Sequence, residues 1–267
     1  MRWLIIDRLY NAAAFTFGHL DSYGFYLKAM DQMVDRIDVS GQMAFPRFCE
    51  EYDVVFALEG YDLALSIPAK KRIAQVACGI EVPRGFSAII SSIPAMVDHY
   101  KARGDVSFYQ PLAFDLRARA CMMGVERDLD CIFIGSTGAN HVRRTRLLEE
   151  LKDIVTVLPP VFGREYFRTL ARAKVVLNVH SEWAQGAANA MRLYEGAGMG
   201  CAVVSDGIGG PSTYIPFDGT AANARERIES CLHGPQPADW GDKWALSTET
   251  YECDDRVPQL IRWAKEI

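Results

Sequence analysis

One feature constrains this chain more than any other. Short unbroken apolar runs alternate with helix-length amphipathic stretches. The runs are Trp3–Asp7, Asp53–Leu58, Arg72–Cys78, Ala88–Ser91 and Val106–Tyr109, then Cys131–Gly135, Ile154–Leu158, Lys174–His180 and Cys201–Ser205. Few of them alternate apolar with polar residues, so both faces of each strand are expected to be covered. That points to parallel sheets wrapped by helices. Helices are predicted at Ser22–Arg36, where Phe25, Ala29, Met33 and Arg36 fall at helical spacing. Others are predicted at Pro94–Arg103, His141–Lys152, Arg164–Ala173, Ala188–Gly198, Ala221–Leu232 and Val257–Ile267. The pattern lapses across Leu112–Arg127. The reading is therefore α/β, with two Rossmann-like domains facing each other across a cleft: residues 1–112, a connector 113–127, residues 128–250, and a final helix in 251–267. In open α/β sheets, ligands bind at the carboxyl ends of strands, which would make the cleft the site.

Composition narrows the classes. With 267 residues, 49% of them hydrophobic and 24% charged, the chain can bury a core without disulfide staples. No apolar run reaches the roughly 18 residues a membrane helix needs. The start, Met1 to Asp7, turns polar too early for a secretory signal. Seven cysteines occur with no C-x-x-C pair, which argues against a zinc ribbon and for a reduced, cytoplasmic setting. A net charge of −5 and a pI near 5.6 argue against a nucleic-acid coat or a polybasic membrane binder. Lys70-Lys71-Arg72 and Arg143-Arg144-Thr145-Arg146 are the dense basic clusters, each read first as a solvated helix face.

Three stretches carry candidate chemistry. Asn189, Arg192 and Glu195 are spaced by three, so they share a stripe on one helix. That helix begins after Gly186, where its N-terminus suits an anion. Arg192 suits a phosphate, and Glu195, one turn further on, suits a ribose diol. On spacing alone, Arg192 and Glu195 are equally an intrahelical surface pair. Gly135 and Ser136 follow a strand and precede a helix, where small residues let backbone approach a phosphate. Neither the G-x-G-x-x-G nor the P-loop pattern is present there, and a plain turn explains it as well. Arg143 and Arg144 lie just beyond. Asn178 and His180 end a strand, a position that lines the site in this architecture.

These residues resemble a known family. Gly163, Tyr166 and Leu170, then Ala173-Lys174 through Asn178 and His180, then Asn189, Arg192, Glu195, Gly198 and Gly200, then Ser205-Asp206, look like the C-terminal domain of GT-B glycosyltransferases. The spore-maturation type is the nearest group. The strand Asp53–Leu58 and the segment Ser91–Leu112, running on through Tyr109, Pro111 and Asp115, resemble that group's N-terminal half. The resemblance implies a GT-B fold that binds a nucleotide-diphosphate sugar, such as a UDP-sugar, on the C-terminal domain and an acceptor on the N-terminal one. It assigns Glu195 to the donor ribose. Gly135, Ser136, Arg144, Asn178, His180, Asn189 and Arg192 fall on the donor side. It implies no metal or other cofactor, and it implies that the final helix in 251–267 packs back toward the N-terminal domain.

The expected function is transfer of a sugar to a hydroxyl, with Arg192 stabilising the leaving diphosphate. The acceptor is open: a small molecule, a glycan, or a hydroxymethylated base in viral DNA. His19 and Asp21 are the first candidates for the catalytic base, with Glu59 and Glu81 behind them. Two other classes stay open. One is a nucleotide-dependent Rossmann epimerase or oxidoreductase; the other is a sugar-nucleotide-binding protein without catalysis.

Overall fold

The computed structural model describes residues 1–6, 33–39, 51–58, 60–76, 81–110, 119–161, 163–180, 191–207, 214–234 and 253–267. The chain divides into two units. One comprises Met1–Leu112 with Tyr251–Ile267, the other Ala113–Thr250. Residues 113–127, read above as a connector, thus count with the second unit. Arg127, at the end of that stretch, donates to the Ala173 carbonyl and, at 2.8 Å, to the Met199 carbonyl.

The first unit holds β1 (Arg2–Ile6), β2 (Arg36–Val39), β3 (Tyr52–Ala57), β4 (Ala69–Val76), β5 (Ala88–Ser91) and β6 (Ser107–Tyr109). They form one sheet in the order β2-β1-β3-β4-β5-β6. Every strand pair is parallel. β1, β3 and β5 are rich in Ile, Val and Leu and are buried on both faces, as strands of a covered parallel sheet must be. Helix α1 (Tyr61–Ser66) follows β3, and α2 (Pro94–Ala102) follows β5. Pro94 opens α2, where its missing N–H costs nothing. The core gathers Leu4, Ile6, Tyr52, Val55, Ile67, Ile89 and Tyr100.

Two sequence expectations are corrected in this unit. Most of the predicted helix Ser22–Arg36 lies outside the described residues, and its described end, residues 33–36, is not helical. Met33–Asp35 is a turn, and Arg36 opens β2, which pairs with β1 from Arg2↔Arg36 to Ile5↔Val39. Lys70, Lys71 and Arg72 are not a helix face but lie on β4, and each cation has a partner. Lys70 Nζ meets Asp53 Oδ1 at 2.6 Å. Arg72 donates to the carbonyls of Ala64 and Ile67, tying down α1. Lys71 Nζ donates at 2.7 Å to the carbonyl of Ala264, in the last turn of α7 (Cys253–Glu266). This places α7 on the first unit, where Trp263 stacks on Phe108 with centroids 4.5 Å apart.

The second unit holds β7 (Leu129–Ile134), β8 (Thr156–Leu158), β9 (Ala173–Asn178), β10 (Ala202–Ser205) and β11 (Ile215–Pro216). Its helices are α3 (Val142–Glu150), α4 (Gly163–Arg172), α5 (Met191–Gly198) and α6 (Ala221–His233). The sheet order is β11-β10-β9-β7-β8, again parallel throughout. The first strand of this unit therefore lies between its second and third, so the connections run outward on both sides of the β7/β9 junction. A crevice opens at such a reversal, and ligands favour it. Phe133, Leu148, Val175, Leu177, Val204 and Ile228 share the core. Helix α5 packs close to the sheet because Gly196 has no side chain; a Cβ there would meet Val203 Cγ2 at 3.0 Å.

Candidate active site

The candidate residues of the second unit converge on the carboxyl ends of β7, β9 and β10. Gly135 and Ser136 continue from β7, Asn178–His180 from β9, and Ser205–Asp206 from β10. Arg192 and Glu195 come from α5. Three arrangements organise them.

The first centres on Arg192. Its guanidinium lies over the Phe133 ring, 5.3 Å from the centroid, and Nη1 donates to Asn178 Oδ1 at 2.7 Å. Nη2 lies 3.1 Å from where a Cβ on Gly135 would be, so glycine makes room for it. Among the described residues no carboxylate forms an ion pair with Arg192, and its Nε is buried without a hydrogen-bond partner. A half-buried cation in this state favours an anionic ligand. Arg144 approaches the same Phe133 ring at 5.5 Å and is fixed by the carbonyls of Val179 (3.0 Å) and Ser136 (2.9 Å). Two guanidinium groups therefore stand around the β7 end.

The second is a buried polar chain across β9 and β10. Asn178, 1% exposed, donates from Nδ2 to Ser205 Oγ at 2.9 Å. Asp206 Oδ1 lies 2.8 Å from both the backbone nitrogen and the ring Nδ1 of His180. Arg143 donates to Asp206 Oδ2 at 2.5 Å. Burial pushes the Asp206 carboxyl up, but hydrogen bonds from the His180 ring, the His180 N–H and Arg143 outweigh it. The group settles below its ordinary value. An ionised carboxylate only accepts, so the His180 proton facing it sits on Nδ1.

The third is the pair Tyr166–Glu195. Glu195 is 4% exposed and accepts a hydrogen bond at 2.6 Å from the Tyr166 hydroxyl. This excludes the surface-pair reading of Arg192 and Glu195: the carboxylate is buried, and Arg192 reaches Asn178. Burial, then the charge of Glu195, pushes the Tyr166 phenol well above its ordinary value.

The structure thus brings together Gly135, Ser136, Arg144, Asn178, His180, Arg192 and Glu195. Asn189 lies outside the described residues, as do His19, Asp21 and Glu59. Glu81 is described; it is exposed and pairs with the exposed His99 and the mostly buried Arg103. Sequence reasoning named Asp206 and Tyr166 only as parts of a motif, and Phe133 not at all. The signal for Asp206 was its place one residue beyond an apolar strand. Among the described residues no group of three or more His, Cys, Asp or Glu is placed to hold a metal ion. No described helix is long and apolar enough to cross a membrane. A groove of about 1110 Å³ runs along β8 between Asp128, Thr145, Val157 and His233. It shares no lining residue with this site, so the chemistry is not placed there.

Comparisons with known proteins bear on the fold. Residues 127–232 match the family described as glycosyl transferase-like. A glycosyltransferase involved in avilamycin A biosynthesis is similar in structure, with a TM-score of 0.66, 14% identity, and coverage of 100% of this chain and 97% of that one. HepE of Anabaena, solved with UDP and glucose, gives 0.65 at 12% identity, with 100% of both chains covered. The DNA-modifying enzyme β-glucosyltransferase gives 0.59 at 11% identity, covering 100% of this chain and 98% of that one. The chain has the GT-B fold. No curated protein sequence matches it. Within the GT-B fold, the family match spans β7 to α6, the segment that carries the described candidate residues from Gly135 to Asp206.

Proposed function

We propose that the chain is a glycosyltransferase moving a sugar from a nucleotide-diphosphate donor to a hydroxyl. The observation that carries this is Arg192, a partly buried guanidinium with no carboxylate partner among the described residues. It stands at the strand reversal where this fold accepts ligands. Negative charge develops on the diphosphate as the glycosidic bond breaks. A fixed cation held by Phe133 and Asn178 meets that charge without reorganising. Arg144 serves the same anion from the β7 side. Glu195 accepts hydrogen bonds from the donor ribose, and Asp206 holds His180 at the wall of the site. The binding chemistry described calls for no metal. The base that activates the acceptor is sought in the first unit, with His19 and Asp21 the first to test.

Among acceptors, a hydroxymethylated base in DNA is supported by the likeness to the DNA-modifying β-glucosyltransferase. The acidic pI of 5.6 counts against it. Donor binding is tested first, by thermal shift with UDP, GDP, ADP, CDP and TDP sugars, since a bound ligand raises apparent stability. One class is expected to shift the transition, and Arg192→Ala to weaken its binding roughly 10- to 100-fold. No shift with any donor overturns the reading. Transfer to a hydroxymethylcytosine oligonucleotide, with binding that falls as salt rises, then decides the acceptor.

A further inference from the structure

A carboxylate withdrawn from water needs donors both to stay charged and to keep its direction. For Glu195, Tyr166 is such a donor, from another element. Tyr166 lies on α4 and Glu195 on α5, 29 positions apart in sequence, and their bond of 2.6 Å has the short length of a charge-assisted hydrogen bond. The tyrosine is itself held: its ring lies edge-on to Phe167, with centroids 5.5 Å apart at 67°. With its proton kept by burial and by the neighbouring charge, the phenol is a permanent donor. The side chain of Glu195 is therefore clamped at Oε2.

We infer that Tyr166 is the positioning residue that makes the nucleotide site select ribose over deoxyribose. The inference rests on the donor reading above, in which Glu195 receives the ribose hydroxyls. A carboxylate free to rotate accepts from one hydroxyl, the other, or water with little preference. A clamped carboxylate presents its acceptors in one direction only. A donor lacking a hydroxyl there leaves a buried acceptor unmatched, and that mismatch discriminates strongly.

The test is calorimetric titration of the intact protein with the tightest-binding nucleoside diphosphate of the panel, UDP or GDP, beside its 2′-deoxy and 3′-deoxy forms. Wild type is expected to prefer the ribose form by about 10- to 100-fold over at least one deoxy form. In Tyr166→Phe, which keeps the ring and its contact with Phe167, the preference is expected to fall to within about 3-fold. The loss should come from weaker binding of the ribose form, with the deoxy form unchanged. Glu195→Asp keeps the charge but shortens the reach to Tyr166, and should lose the preference as well. A structural role for Tyr166 would weaken both forms alike and keep the ratio; that result overturns the inference. If Tyr166→Phe fails to fold, Glu195→Asp decides: full retention of the ratio overturns the clamp.

Glu195→Gln separates the two readings. If it abolishes the preference while Tyr166→Phe keeps it, Glu195 still reads the ribose and the clamp alone is wrong. If wild type shows no preference, or Glu195→Gln keeps it, the donor-ribose reading itself falls.

Discussion

At the scale of single residues, the site is built from charges held by neighbours that sequence spacing does not connect. Asp206 shows it best, with His180 on one oxygen and Arg143 on the other. Its carboxyl titrates below its ordinary value. A depressed carboxylate stabilises the fold above the unfolded value of about 3.9, and that contribution is lost as pH falls through the lower folded value. Asp206→Asn is therefore expected to lower stability at pH 7 by about 1–3 kcal/mol, since it leaves Arg143 and His180 poorly matched. It should also flatten the acid limb of the stability profile below about pH 4. Urea titrations from pH 7 to pH 3 check this, and parallel acid limbs in the two proteins would refute it. Gly135, Asn178, His180, Arg192 and Glu195 were legible as candidates, and the structure brings them together, because each stands at a strand end or on one helical stripe. Their partners were not legible. Phe133 beneath Arg192 and Tyr166 against Glu195 are set by which strands and helices become neighbours, and spacing along the chain does not carry that information.

At the scale of elements, the parallel strands were plain in the sequence because strands buried on both faces read as unbroken apolar runs. β2 was not plain. Its residues, Arg36-Ile37-Asp38-Val39, alternate polar with apolar, and the strand is short. The preceding Phe25, Ala29 and Met33 continue a helical period across its start. β4 misled in the other direction. Its first half is basic because it reaches beyond the buried middle of the sheet, where Lys71 and Arg72 donate to the helix carbonyls of Ala264 and Ala64. The close approach of α5 to the sheet gives a prediction. A Cβ at position 196 would lie 3.0 Å from Val203 Cγ2 and 3.6 Å from Val176 Cβ. Overpacking of this kind costs about 1–3 kcal/mol, against up to about 1 kcal/mol gained from the helix preference of alanine. Gly196→Ala is expected to destabilise the protein by about 0.5–2 kcal/mol on balance, read from the urea midpoint. Stabilisation would mean that α5 stands off the sheet.

At the scale of the whole molecule, each unit has its own sheet and its own core. Unfolding is therefore expected to show two components by calorimetry. Trp263→Ala removes the stack on Phe108 and should lower the component of the first unit, by about 1–3 kcal/mol for a partly buried aromatic. A bound nucleotide should raise the component of the second. A single transition displaced as one by both changes would show that the two cores unfold together. The path of the chain has a consequence for synthesis. The first unit is split: its sheet is translated before residue 113, but α7, which Lys71 and Phe108 receive, is translated after residue 250. The second unit, translated later than that sheet, is complete before it. As a nascent chain, this protein would finish folding in an order opposite to the one in which its sheets emerge, with the Phe108 surface waiting for the last helix.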